Sequence, residues 1–130
     1  MALIKGIHHV ALACPDAEAY DRAVAFYTED LGLKQTLRWV KNGLPGCMLD
    51  TGAGNLELSV CGEQRGQGAF PHVALLTADV DGCIAAARKK GLAVTVEPKD
   101  IAFASDPPFP ARIGFCIGFA GEEIEFFAER

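Results

Sequence analysis

"IHHVALACPD", residues Ile7 to Asp16, is echoed 63 positions later by "PHVALLTADV", residues Pro71 to Val80. Both stretches contain His-Val-Ala-Leu, and both reach an aspartate seven residues after the histidine: His9 to Asp16, then His72 to Asp79. In the first copy "IHHVALAC" alternates as a strand does, with Ile7, His9, Ala11 and Ala13 on one face and His8, Val10, Leu12 and Cys14 on the other. "PDAEAYDRAVAFYTEDLG" then reads as a helix: Asp16 is placed to cap it, Tyr20, Ala23, Val24, Tyr27 and Leu31 form the apolar stripe, and Gly32 supplies the stop. Three strand-like runs follow, "QTLRWV", "GCMLDT" and "LELSV", separated by the glycine-bearing turns "KNGLPG" and "GAGN".

The same order returns after the second histidine. Asp79 is the cap, "VDGCIAAARKK" carries Val80, Ile84 and Ala87 as its stripe, Gly91 is the stop, and "AVTVEP", "ARIGFCIGF" and "EIEFFAE" are the strands. The polar, glycine-rich "CGEQRGQG" reads as the join between the copies. The expectation is an α+β protein in which two βαβββ modules form a curled mixed sheet around a cup. The 1–130 chain is one domain, with repeat units at about 5–61 and 69–129.

Composition bounds the function. At 130 residues, half of them hydrophobic, the chain can bury a core without disulfides or structural metal. No apolar run approaches the ~20 residues that cross a bilayer. "MALIK" is too short and too early for a secretory signal, so the expected location is the cytoplasm, with no membrane partner. The five cysteines Cys14, Cys47, Cys61, Cys83 and Cys116 are scattered, without a Cys-x-x-Cys pair, and read mostly as small buried hydrophobes. Acids outnumber bases 17 to 12, which disfavours nucleic acid and leaves a small molecule as the expected partner.

The copies also share chemistry. His9 lies on the first strand of its unit and Glu57 on the last; His72 and Glu125 hold the matching places in the second unit. Curling each unit would bring its first and last strands to one concave face. Two imidazoles and two carboxylates suit a borderline divalent ion and leave coordination positions for water or substrate. A lone strand histidine is more often structural and a strand glutamate more often solvated, but four at repeat-related positions argue for a shared role. His8 has the opposite parity to His9 and reads as structural or surface. Glu123 shares the parity of Glu125 and is its rival for the fourth place.

Beyond these four, "KDIAFASDPPFPAR" reads as a proline-stiffened loop at the mouth of the cup. Arg112, in that stretch, and Arg38, in "TLRWV", are candidates for a substrate carboxylate or phosphate, with an exposed arginine as the plain alternative for each. Trp39 and Phe103 or Phe109 are candidates to line an apolar pocket, with core packing as theirs.

"HHVALACPDAEAYDRAVAFYTEDLGLK" resembles the opening of the vicinal oxygen chelate superfamily, which contains glyoxalase I, methylmalonyl-CoA epimerase, extradiol dioxygenases, and fosfomycin and bleomycin resistance proteins. "GNLELSV", "FPHVALLTADVD" and "GEEIEFFAE" match its later motifs, so the resemblance covers nearly the whole chain. It implies paired βαβββ modules holding one divalent metal per chain, zinc or nickel foremost with cobalt, manganese or iron as alternatives, usually in a homodimer. Dioxygenases and fosfomycin enzymes use the equivalents of His9, His72 and Glu125. A carboxylate at the fourth place, Glu57, is similar to glyoxalase I and the epimerases.

That similarity implies a metal-dependent lyase or isomerase moving a proton beside a carbonyl through a metal-bound enediolate, with Glu125 and Glu57 as the catalytic groups. The runner-up is a ring-cleaving dioxygenase or fosfomycin-type resistance transferase, and the third reading is a non-catalytic small-molecule binder. Where glyoxalase I enzymes often read Glu-Leu-Thr-x-Asn, this chain reads Glu57-Leu58-Ser59-Val60-Cys61. Cys61 cannot replace the amide that helps to hold glutathione, so the thiol stays open.

Overall fold

The computed structural model describes residues 2, 7–63, 72–105 and 107–130. The chain divides into two compact units, Met1–Arg65 and Gly66–Arg130. The expected linker lies outside the described residues from Gln64 onward.

In the first unit β1 (His9–Cys14) leads into α1 (Ala17–Ala25), followed by β2 (Lys34–Lys41), β3 (Leu44–Asp50) and β4 (Asn55–Val60). The sheet order is β1-β4-β3-β2, with β1 parallel to β4 and the other neighbours antiparallel. In the second unit β5 (Val73–Leu76), α2 (Val80–Lys89), β6 (Val94–Phe103), β7 (Phe109–Ile117) and β8 (Glu123–Glu129) repeat this as β5-β8-β7-β6, again with only the first pair parallel. The fold is two βαβββ modules, and each sheet is open. This order matters because a parallel first-to-last pair sets the module's histidine strand directly beside its glutamate strand.

Both helices begin as their sequences require. The Asp16 carboxylate accepts from the Ala19 N–H at 2.8 Å, and Asp79 accepts from Gly82 N–H at 2.9 Å. Val80, Ile84 and Ala87 are all buried, so the stripe of α2 faces its sheet. The stripe of α1 is only partly right. After Ala25 the chain widens into a π-helical turn, Phe26–Asp30, with the Leu31 N–H bonded to the Phe26 carbonyl. The wider turn rotates the buried face, so Phe26 joins Tyr20, Ala23 and Tyr27 in the core while Val24 and Leu31 are half-buried.

The turns are tighter than the sequence suggested. "KNGLPG" contributes only Asn42 and Gly43, both at positive φ, to a two-residue hairpin; Lys41 and Leu44 already pair across it. Pro45 fits within β3 because the pairing with β4 starts one residue later, at Gly46. "KDIAFASDPPFPAR" is mostly strand: β6 runs to Phe103 and β7 starts at Phe109.

Candidate metal and proton-transfer site

In each module the helix covers one face of the sheet, and the histidine and glutamate lie on the other. Ala11 pairs with Glu57 across β1 and β4, and Ala74 with Glu125 across β5 and β8. His9 is two residues before Ala11, and His72 two before Ala74, so the period of two puts each histidine on its glutamate's face. The side chains meet. His9 Nε2 lies 3.2 Å from Glu57 Oε2, and His72 Nε2 lies 3.0 Å from Glu125 Oε2. The same nitrogen faces a carboxylate in both copies. Of the two rivals at the end of the chain, it is Glu125 that pairs with His72.

The surroundings of the two pairs differ. Glu125 is buried, and that burial pushes its carboxyl above the usual carboxylate range; His72 opposes the shift and Glu123 adds to it. Glu57 is more open, its side chain 25% exposed against 10% for Glu125. The His72 ring stands edge-on to Phe115, centroids 5.4 Å apart. His9 instead has a polar neighbour: His8 Nδ1 is 2.9 Å from His9 Nδ1, with the rings perpendicular. His8 lies one residue ahead of β1 and is exposed, as expected of a surface histidine, yet its ring meets that of His9. No pattern in the sequence distinguished this contact from two unrelated neighbours.

Each pair presents an imidazole nitrogen and a carboxylate oxygen at one point. Neighbouring ligands bound at ~2.1 Å and at right angles stand ~3 Å apart, so the observed separations suit two ligands of one divalent ion. Among the described residues, no group of three or more His, Cys, Asp or Glu is placed to hold a metal ion.

The candidate substrate residues divide. Trp39 pairs with Gly46, which shares the face of Met48 and Glu57, and the indole lies flat over the glycine. Phe103 pairs with Phe109, and both rings contact Phe127, two residues beyond Glu125 on its face. Arg38 pairs with Cys47 on the opposite, helix-bearing face, where the Cys47 thiol hydrogen-bonds the buried Tyr20 of α1. Burial, then this bond, pushes the Tyr20 phenol upward, with Arg38 opposing. Arg112 is also on the helix side, where its guanidinium donates to both oxygens of Asp81 at 2.7 and 2.8 Å and lies 3.3 Å from Asp100. Both arginines thus lie on the opposite side of their sheets from the His–Glu pairs.

The model of the Glyoxalase/Bleomycin resistance protein/Dioxygenase superfamily matches residues 6–105, and the chain belongs to this superfamily. Comparison with curated proteins gives no match. Among solved structures, the chain is similar to a glyoxalase family protein from Bacillus anthracis, at 25% identity over 100% of this chain and 99% of that one, TM-score 0.69. A glyoxalase family protein from Enterococcus faecalis matches at 19% identity, 97% and 99% coverage and TM-score 0.70. A glyoxalase I variant from Zea mays matches at 23% identity and TM-score 0.70, with 92% of this chain covering 43% of that one.

Proposed function

We propose that the protein is a metal-dependent lyase or isomerase resembling glyoxalase I, acting on a small carbonyl compound or its thiol adduct. The observation that carries this reading is the repeated His–Glu pair: His9 with Glu57 and His72 with Glu125, each nitrogen about 3 Å from its carboxylate oxygen. The four residues are the proposed ligands of one divalent ion per chain, zinc or nickel foremost, in a protein that works as a homodimer. The donor set fits such an ion, since imidazole and carboxylate together suit borderline divalent metals. When bound, the ion stabilises negative charge on substrate oxygens.

The remaining chemistry belongs to the side chains. Moving a proton beside a carbonyl needs a base strong enough to take it and an acid able to return it. Glu125 is the proposed base: its burial raises the basicity of its carboxylate, and Phe115 and Phe127 flank it with apolar surface. Glu57, more exposed, is proposed to serve the other face of the same carbon.

The test is metal content followed by turnover. The purified protein is expected to hold about one divalent ion per chain, and the double His9→Ala, His72→Ala variant to lose it; full retention there would sink the ligand assignment. Glu125→Gln keeps an oxygen ligand without basicity. It is expected to keep metal while turnover of aldehyde–thiol adducts falls by ~10²–10⁴. Oxygen consumption with catechols would favour the dioxygenase reading instead, and bound metal without turnover of any of these would favour a binder.

A further inference from the structure

His8 is held in place more firmly than an exposed residue ahead of a strand needs to be. Its carbonyl accepts from the backbone N–H of Asn55 at 3.0 Å and from the Asn55 side-chain amide at 3.1 Å. Those two bonds tie the residue to the start of β4, the strand that carries Glu57. Its ring nitrogen Nδ1 then sits 2.9 Å from Nδ1 of His9, whose other nitrogen faces Glu57.

The hydrogens in this chain of contacts follow from the chemistry of the groups. A carboxylate only accepts, so His9 Nε2 carries a hydrogen when it faces Glu57 without a metal. A neutral His9 ring then has a bare Nδ1, which accepts, and His8 Nδ1 must donate. A metal on His9 Nε2 requires the opposite arrangement, because the ligating nitrogen offers a lone pair and the ring's hydrogen moves to Nδ1. His8 must then accept.

We infer that His8 is a positioning residue for His9, and that the hydrogen bond between the two rings reverses direction when His9 takes a metal. This rests on the proposed role of His9 as a ligand. On loading, His9 releases its Nε2 proton to water and takes a proton at Nδ1 from His8 Nδ1, while His8 takes one from water at its exposed Nε2. One proton leaves and one enters, and both rings are neutral before and after. Among the described residues, the ring beside His72 is that of Phe115, which can neither donate nor accept a hydrogen.

The chain has three histidines, which makes the experiment direct. Proton–nitrogen correlation spectra of the full protein, labelled with ¹⁵N at histidine, are recorded at pH 8 with and without zinc. Expected on zinc addition are a metal-bound Nε2 and protonated Nδ1 at His9, together with transfer of the hydrogen of His8 from Nδ1 to Nε2. His8→Phe, which can neither donate nor accept, should weaken zinc affinity roughly 10–100-fold in chelator competition. His8→Asn, whose amide can do either, should restore most of it. An unchanged His8 tautomer with zinc on His9 overturns the relay alone, as does parental affinity in His8→Phe. Zinc bound with His9 Nε2 unaffected overturns the ligand assignment and the relay with it. The spectra of the parent protein decide the question even if His8→Phe does not fold.

Discussion

Replacing Gly46 with alanine tests whether Trp39 is seated on the site face by the absence of a side chain beneath it. A Cβ built on Gly46 falls well inside contact distance of the indole Cε2 and Nε1, and lies 2.7 Å from Cζ2. Ordinary carbon–carbon contact is ~3.5–4.0 Å, so the indole must retreat by about 1 Å or more. Gly46 is in β3 between β2 and β4, paired on both sides, so its backbone has little freedom to give way. Overpacking of this kind costs ~1–3 kcal/mol. Trp39 is the chain's one tryptophan, which makes its fluorescence a specific reporter. Gly46→Ala is expected to lower the urea midpoint, shift the emission to longer wavelength and increase quenching by acrylamide. Trp39→Phe in the same background should recover part of the stability, because the smaller ring no longer meets the added methyl. Parental stability with unchanged emission in Gly46→Ala would refute the seating of the indole.

Other outcomes follow from the opposite faces of the sheets. Arg38→Ala and Arg112→Ala are expected to bind zinc within about twofold of the parent in chelator competition, since both arginines lie on the helix side; Arg112→Ala should in addition lower the urea midpoint slightly by losing its Asp81 pair. Burial pushes the Cys116 thiol up to about 12 from 9.0, with Glu122 and Cys83 adding to the shift. A raised thiol pKa favours the protonated folded state, so this contribution is complete below pH ~9 and is lost as pH rises toward 12, by up to ~4 kcal/mol. Denaturation curves from pH 8 to 11 should therefore fall less steeply for Cys116→Ala than for the parent, and equal slopes would refute the assignment.

The repeat made the fold legible. His-Val-Ala-Leu followed by a capping aspartate fixed two strand–helix starts, and the apolar alternation after each supplied the other strands. Local backbone chemistry was harder to read. Asn42 and Gly43 alone close the first hairpin, because two consecutive residues at positive φ suffice for a tight turn, and Pro45 beyond them precedes the first pairing with β4. The π-helical turn at Phe26–Asp30 leaves no composition signal, since it arises from where the helix must deliver Phe26 and Tyr27 to the core. Parity puts Glu57 and Glu125 on the faces where their side chains meet His9 and His72. The face that Arg38 and Arg112 take is legible only from their strand partners, Cys47 and Asp100.

Duplication gives both modules the same donors at the same spacing, but equal donors do not make equal chemistry. Acid and base roles separate when two like groups occupy environments that pull their proton affinities apart. Glu125 is buried, with Phe115 paired across from it and Phe127 two residues along, whereas Glu57 is the more open of the two. The histidines differ in the same sense: His72 stands against an aromatic edge that can neither give nor take a proton, and His9 touches an imidazole that can do both. In the proposed reading, the apolar wall beside the second module's pair keeps the Glu125 carboxylate more basic, as a proton-abstracting group requires. The polar neighbour of the first module's pair suits the hydrogen-bond reversal inferred for His8 and His9. The divergence between the two copies, rather than their likeness, is therefore what favours Glu125 over Glu57 as the proposed base.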